Sequence, residues 1–444
     1  MNLDRRRQRG FSIIELMIAI LLASILLLGI TSLFSTTSSV NRTEEGLARL
    51  QENGRFAMSR IVEDLRMMTA QYCVSRSAGA SQQGLWSYTD AGRPIAANFN
   101  FAAFPQFGLP ANPTAAARYW IGPRHMAFGT ECDTAGGCGP ALGVVGSGAD
   151  LFNVTGSGPL PAVGTAAGNR ARGADVLTIR YLAGQGIRLS ADAIGPPGVA
   201  APIPLESPLV FSSPSNIALM TDCSDTDVFR VAAGGATLTP AGNANDGTVG
   251  RYLRREDTRV FDFERDFRAV TYYLRLVDDP NPDAPANRLI STLSRRQNGV
   301  DQVIAEGIER LDFTYILEDR DGRTHYLNAA GVHAWPAANC PPRPPVQLGA
   351  NMDNNCGWRS IRAIEVTLLA NTVADVGGRE AESFVYSFTS AGAVNAAATP
   401  EVACDPGFGP CPGGSVTTLA SGLRPGRMLR REFRALISVR NNNF

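Results

Sequence analysis

The N-terminal stretch RRRQRGFSIIELMIAILLASILLLGITSLF, residues 5–34, decides how the rest of the chain is organised. It opens with four arginines, and no charged side chain occurs from Leu16 to Asn41. About 20 apolar helical residues are enough to cross a bilayer. Because basic residues stay on the cytoplasmic side, the sequence predicts one membrane crossing, with the N-terminus in the cytoplasm and the chain after about residue 34 exported.

One carboxylate, Glu15, lies near the start of this apolar run. An ionised carboxylate at the centre of a membrane helix costs roughly 2.5 to 3.5 kcal/mol on insertion scales. Glu15 therefore needs either a cationic partner within a bundle of such helices or a position from which its side chain reaches the near interface.

The first proline of the chain is Pro94, so a long helix is unobstructed before it. After the apolar run, small and apolar residues recur at spacings of three and four, which is typical of one buried helix face. The pattern predicts a single helix from about Phe11 to Tyr72, roughly 90 Å long. The alternative is a membrane helix and a separate second helix, with a break at residues 35–39. The residues of the predicted buried face are Leu47, Leu50, Gly54, Ala57, Ile61, Leu65, Met68 and Tyr72.

The composition changes along the rest of the chain. Residues 73–173 are rich in Gly, Ala and Pro and predict long loops with few strands. Residues 174–444 contain short runs rich in Val, Ile, Thr and Tyr, without alternating helices, which predicts antiparallel β-structure. The predicted strands are DVLTIRYL, PLVFSS, AVTYYLRLV, NRLISTLS, ERLDFTYIL, IRAIEVTLLA and FRALISVR, with a hairpin loop at residues 278–287 and a short helix in QVIAEGIERL.

The predicted fold class is α+β, with a long N-terminal transmembrane and amphipathic helix packed on an antiparallel β-rich C-terminal domain with long loops. The predicted segments are a basic leader (1–10), the membrane half of the helix (11–34), its exported half (35–72), the loop region (73–173) and the β-rich domain (174–444).

The eight cysteines all lie on the exported side, and their even number favours disulfides in an oxidising compartment. The competing zinc interpretation lacks CxxC spacing and nearby histidines. Eight cysteines allow 105 pairings, so the sequence does not fix them. Short separations favour Cys132 with Cys138, Cys340 with Cys356 and Cys404 with Cys411, which leaves Cys73 with Cys223.

The sequence offers little catalytic chemistry. Its three histidines do not have metal-binding spacing, so we expect no metal, no cofactor and no enzymatic activity. Zero net charge argues against a general nucleic-acid surface, which would show as a clustered basic excess. VFDFERDF (260–267) predicts an alternating strand with an acidic outer face, an acid/base pair being the alternative. LEDRDGRTH (317–325) resembles the start of a calcium loop, but the later glutamate is missing and a hairpin turn is favoured.

The segment GFSIIELMIAILL, residues 10–22, resembles the type IV prepilin signal. The resemblance implies cleavage by a prepilin peptidase between Gly10 and Phe11, so that the apolar helix stays on the mature protein. It also implies N-methylation of Phe11. Glu15, the fifth mature residue, would promote filament assembly by meeting the amino terminus of a neighbouring subunit; the alternative is that its side chain only reaches the near interface.

The β-rich half is similar, more loosely, to the PilW group of minor pilins. The similarity lies in DVLTIRYL, the strand after GIERLDFTY, WRSIRAIEVTLLANT and RREFRALISVRNN. It implies a structural subunit anchored in the inner membrane with an exported periplasmic domain, and later located at or near the pilus tip. The implied partners are other minor pilins of the FimU, PilV, PilX and PilE types, a PilY-type tip protein and the major pilin, in a complex that initiates pilus assembly for twitching motility.

Two other functions remain open at this point. The J-type pseudopilin of type II secretion shares the N-terminal signal. A membrane-anchored periplasmic enzyme or receptor would use the helix only as a tether and would keep its leader.

Overall fold

A computed structural model shows an α+β fold, with one long N-terminal helix and antiparallel sheets after it. The structure describes residues 12–68, 127–132, 137–139, 153–154, 158–194, 202–212, 214, 216–221, 226–241, 252–253, 255–282, 288–297, 300–340, 356–374, 384–386, 401–403, 423 and 428–439. The predicted fold class is therefore confirmed.

Helix α1 (Ile13–Met67) has 55 residues and is about 82 Å long. It continues without interruption through residues 35–39, so the alternative of two separate helices is wrong. Serine and threonine side chains in this part bond back to carbonyls of the preceding turn, as Thr36 does to Ser32 at 2.9 Å, and they leave the helical ladder intact. The predicted end at Tyr72 lies outside the described residues.

Among the described residues, two further short helices and two 3₁₀ turns accompany the strands. Helices α2 (Phe263–Asp266) and α3 (Ala329–His333) are single turns, and the 3₁₀ turns are Ala337–Asn339 and Cys356–Arg359. The strands are β1 (Ala127–Cys132), β2 (Cys138–Gly139), β3 (Asn153–Val154), β4 (Gly158–Pro159), β5 (Val163–Gly164), β6 (Arg170–Ala171), β7 (Val176–Leu182), β8 (Ile187–Arg188), β9 (Ala193–Ile194), β10 (Ile203–Leu209), β11 (Ile217–Thr221), β12 (Thr226–Arg230), β13 (Gly235–Leu238), β14 (Tyr252–Leu253), β15 (Arg259–Asp262), β16 (Phe267–Asp278), β17 (Leu289–Gln297), β18 (Val300–Glu306), β19 (Ile308–Glu318), β20 (Thr324–Leu327), β21 (Ile361–Asn371), β22 (Phe384–Tyr386), β23 (Glu401–Ala403) and β24 (Arg430–Ser438).

Two sheets form the main body of the β-rich region that follows α1. The large sheet has the order β18-β17-β16-β7-β1-β2, with β6 paired to β16 and β5 to β6. The C-terminal sheet has the order β20-β19-β21-β24. Their inner faces and one face of α1 share a single hydrophobic core that includes Tyr272, Trp358 and Val366.

An inserted lobe interrupts the large sheet between β7 and β16. These two strands pair directly, and Ala183 N donates to Asp266 O at 2.8 Å where the chain leaves and re-enters the sheet. The intervening residues include the sheet β12-β11-β15-β8 and the pairs β10-β13 and β9-β14. They have a second hydrophobic core, around Leu205, Phe229 and Val260.

Most of the predicted strands are present, and the hairpin across residues 278–287 is confirmed because Asp278 pairs with Leu289. The prediction for PLVFSS is wrong at residues 210–212, because β10 ends at Leu209, and Ser213 lies outside the described residues. The predicted helix in QVIAEGIERL is also wrong. That segment forms β18 and the start of β19, separated by Gly307 at φ 75°, because pairing with β17 outweighs its helical spacing.

The two acidic segments act through local backbone hydrogen bonds. In VFDFERDF the strand stops at Asp262, which caps the turn α2 by accepting from Glu264 N at 3.2 Å, so the predicted continuous strand is wrong. In LEDRDGRTH, Glu318 pairs with Thr324 and confirms the hairpin. Asp319 accepts from Asp321 N and Arg323 N, both at 2.8 Å, so its carboxylate holds the turn.

The disulfides are seen in part. Cys132 and Cys138 form a disulfide with a Cα–Cα distance of 4.1 Å, which joins β1 to β2. Cys340 is also disulfide-bonded, and no described cysteine carries a free thiol. The pairing of Cys340 with Cys356 stays a prediction, and Cys73, Cys223, Cys404 and Cys411 lie outside the described residues.

Candidate functional site

The first half of α1, residues 13–34, is exposed and does not pack against the described residues of the rest of the chain. Its large apolar side chains are exposed, from 51 % at Ile30 to 78 % at Ile13, and the described parts of the β-rich region do not cover them. Among the described residues, α1 is the one helix long and apolar enough to cross a membrane. Such a surface is unstable in water and requires lipid or other apolar helices around it.

Glu15 lies in the first turn of α1. Ser12 is the N-cap, and its backbone N–H donates to Glu15 Oε2 at 3.4 Å. The free N–H groups and the positive end of the helix dipole favour a carboxylate at this position. The predicted cleavage and methylation residues, Gly10 and Phe11, lie outside the described residues.

The second half of α1 docks on the β-rich region through the predicted face. Leu50, Ala57, Ile61 and Leu65 are fully buried, and the helix contacts β24, β18, β21 and β7. Gly54 is needed for the close approach, since a methyl group there would overlap the ring of Phe433. The predicted stripe therefore positions the helix, as its spacing implies.

A buried ionic cluster joins the end of α1 to three adjacent strands. Asp64 is 3 % exposed and lies within the docked face. Arg295 of β17 donates to it twice, from Nε to Oδ2 at 2.6 Å and from Nη2 to Oδ1 at 3.2 Å. Tyr272 of β16 donates to Oδ2 at 2.5 Å, and Tyr181 of β7 donates to Oδ1 at 2.9 Å. We call these four residues the Asp64 cluster.

The charges in the Asp64 cluster are well compensated. Burial alone would raise the pKa of Asp64, but the hydrogen bonds from Arg295 and Tyr272 outweigh it and hold the pKa below the ordinary value. Burial and the neighbouring Asp64 charge raise the pKa of both tyrosines. Asp64 is therefore ionised, and both tyrosines are protonated donors, throughout the physiological pH range.

The position of Asp64 in the sequence indicates that it is buried, although a search for apolar residues alone does not find it. Asp64 lies three residues after Ile61 and four before Met68, so it belongs to the same face as the apolar stripe. A lone carboxylate within a buried stripe requires a buried partner. Its partner, Arg295, is more than 200 positions away, and the helix pattern does not indicate it.

A second buried acidic cluster consists of Glu131, Asp175 and Asp312. Asp175 accepts from Cys132 N at 3.2 Å and from Phe313 N at 3.1 Å, so it bridges the large and C-terminal sheets. Burial and the Asp312 charge raise the pKa of Glu131 to about 7 and that of Asp175 well above its ordinary value. No group of described residues has an arrangement suited to a metal ion.

The N-terminal segment that precedes and begins α1 is similar to a known sequence motif. Residues 5–31 match the prokaryotic N-terminal methylation motif. This is a pilin-type signal. No curated protein and no solved structure matches the chain.

The methylation motif supports a type IV pilin-like or pseudopilin protein. It implies processing by a prepilin peptidase and assembly with other pilins, and together with the exposed half of α1 it fits an inner-membrane anchor. The motif ends at residue 31, so the docked half of α1 and the β-rich region carry no family assignment from it.

Proposed function

We propose that this chain is a minor pilin of the type IV pilus, of the PilW group, with a structural and non-enzymatic role. The observation that carries the proposal is a methylation motif placed on one continuous helix, whose first half is bare and whose second half is buried against a β-rich domain. Such a subunit leaves the membrane by exchanging lipid for the apolar helices of other subunits.

Glu15 has a defined part in this proposal. Cleavage after Gly10 would place a new amino group on Phe11, next to the residue that caps α1. In a bundle of membrane helices, the Glu15 carboxylate of one subunit then pairs with the amine of another, which offsets the desolvation of both charges. The other proposed partners are minor pilins of the FimU, PilV, PilX and PilE types, a PilY-type tip protein and the major pilin, with the chain located near the pilus tip.

The first test is the mass of the mature N-terminus. We expect a chain that starts at N-methylated Phe11, because the signal precedes the apolar helix. A chain that retains Met1 and the basic leader contradicts the proposal and favours a membrane-anchored enzyme or receptor.

The second test compares Glu15→Val with Glu52→Val, an exposed glutamate on the docked half of the same helix. We expect Glu15→Val to lower the amount of this chain in sheared pili by about tenfold or more, the factor that corresponds to about 1.4 kcal/mol. Glu52→Val should leave that amount unchanged, and both variants should be cleaved normally. Normal incorporation of Glu15→Val refutes the proposed pairing.

A J-type pseudopilin of type II secretion is the second candidate, since the methylation motif supports both classes equally. Deletion of the gene separates them. Loss of surface pili and twitching is expected for the minor pilin, whereas loss of exoprotein secretion with normal pili is expected for the pseudopilin.

A further inference from the structure

We propose that Asp64 is the positioning residue that fixes the axial register of helix α1 on the exported region. The effect of that register on a filament rests on the proposed function, whereas the register itself is a property of the chain. The argument starts from the chemistry of the docked face.

Most contacts of the docked face do not define one register. Leu50, Ala57, Ile61 and Leu65 are apolar, and apolar burial is non-directional. A helix that slides by one turn moves about 5.4 Å and presents residues four positions away to the same partners. Between Ala57 and Leu65 such a slide exchanges one apolar side chain for another, for example Ile61 for Ala57 or Leu65. At Gly54 it brings Leu50 or Met58 against the ring of Phe433, which is only partly buried and must move aside.

The Asp64 cluster responds differently to the same slide. If α1 moves one turn toward the membrane, Met68 takes the place of Asp64 and the Arg295 guanidinium loses its carboxylate. If α1 moves one turn the other way, Arg60 takes that place and two like charges meet. Arg295 is 1 % exposed, so neither state can be relieved by water.

The partners of Asp64 are fixed in space by the large sheet. Tyr181, Tyr272 and Arg295 lie on the adjacent strands β7, β16 and β17, whose pairing is continuous. The hydroxyl of Tyr272 also lies 3.2 Å from the Arg60 carbonyl, one turn earlier on the helix. The three strands thus bind one carboxylate at one height along α1, much as a single buried polar residue sets the register of a coiled coil.

The decisive variant replaces the ion pair with apolar side chains, Asp64→Leu together with Arg295→Met. Removal of both charges leaves no buried unpaired ion, so we expect a melting temperature within about 3 °C of the natural chain. Tyr272 keeps the Arg60 carbonyl and Tyr181 keeps Arg268 as a partner. Asp64→Leu alone should lower the melting temperature by about 5 °C, because it leaves Arg295 buried and unpaired.

Register is measured on the full chain in detergent micelles by pulsed EPR. Ser59 and Gln302, both exposed, are each replaced by a genetically encoded reactive residue that carries the spin label. The labelling reaction then leaves the native cysteines unmodified. The natural chain should give one distance, and the Asp64→Leu/Arg295→Met variant should give at least two that differ by up to about 5 Å. One unchanged distance in the double variant, or an unchanged melting temperature in Asp64→Leu, overturns the proposal.

A matched control uses a second buried ion pair between different elements, Glu309 of β19 with Arg430 of β24. Its side chains are 0 % and 2 % exposed and meet at 2.7 Å. Glu309→Leu with Arg430→Met should keep a single distance between the two labels. Because EPR distances do not depend on pili, a failed register and a failed minor-pilin function give separable results.

Discussion

At the scale of single residues, Glu131 makes stability depend on pH. Its pKa is raised from 4.5 to about 7, so between these values the folded chain holds a proton that the unfolded chain has lost. The contribution of Glu131 to the free energy of unfolding therefore increases as the pH falls from 8 to 5. Glu131→Gln, which cannot ionise, should stabilise the fold at pH 8 by on the order of 2 kcal/mol and at pH 5 by little.

This prediction is checked by chemical denaturation at pH 5 and pH 8. Glu52→Gln, an exposed glutamate of α1, is the control and should behave like the natural chain at both values. Asp64 does not contribute to the change in stability between pH 5 and pH 8, because its lowered pKa affects the free energy of unfolding only below the ordinary value of 3.8. Equal stabilisation by Glu131→Gln at both pH values would contradict the raised pKa.

At the scale of one element, helix α1 contains two glycines with opposite expected responses to alanine. At Gly54 the added methyl group would overlap the Phe433 ring, so Gly54→Ala should destabilise the fold by about 1 to 3 kcal/mol. At Gly46 it would lie 3.5 Å from Thr372, an ordinary contact, so Gly46→Ala should be neutral or stabilise by up to about 1 kcal/mol. Thermal unfolding of both variants measures the difference.

Both substitutions carry the same gain in helix propensity, so that difference reports packing alone. If Gly54→Ala stabilises the fold as much as Gly46→Ala does, then Phe433 does not pack on Gly54. The same outcome would weaken the argument for a closely docked helix.

The helix and strands also show which structural features can be predicted from the sequence. The spacing of Leu50, Ala57 and Ile61 predicts the docked face of α1, because helical periodicity is local. The strand β18 is missed, because its conformation comes from pairing with β17 and not from its own pattern. The Asp64 cluster depends on three strands far along the chain, and only the fold brings Tyr181, Tyr272 and Arg295 to one carboxylate.

At the scale of the whole molecule, two cores of unequal size predict unequal stability. The main core includes both sheets and α1, whereas the inserted lobe has a small core of its own around Phe229. Less apolar burial gives a lower opening free energy. Under native-state hydrogen exchange, amides of β11 should therefore exchange at lower denaturant concentrations than amides of β19 and β21.

One denaturant dependence shared by all three strands would show that the lobe and the main body unfold together. Phe261 and Leu219 oppose independent unfolding of the lobe, because they belong to lobe strands but pack in the main core. β19 and β21 serve as internal references, so no second variant is required.

The short hydrogen bond from Ala183 to Asp266 has a consequence for how such chains diversify. Because the lobe leaves and returns at neighbouring positions of paired strands, a change in its length does not alter the pairing of β7 with β16. Insertions and deletions can accumulate by ordinary genetic change, or be introduced by an engineer as a display cassette, in the parts of the lobe away from Leu219 and Phe261, which pack in the main core. The helix and the two main sheets then keep one structure, while the surface of the lobe varies in sequence and length.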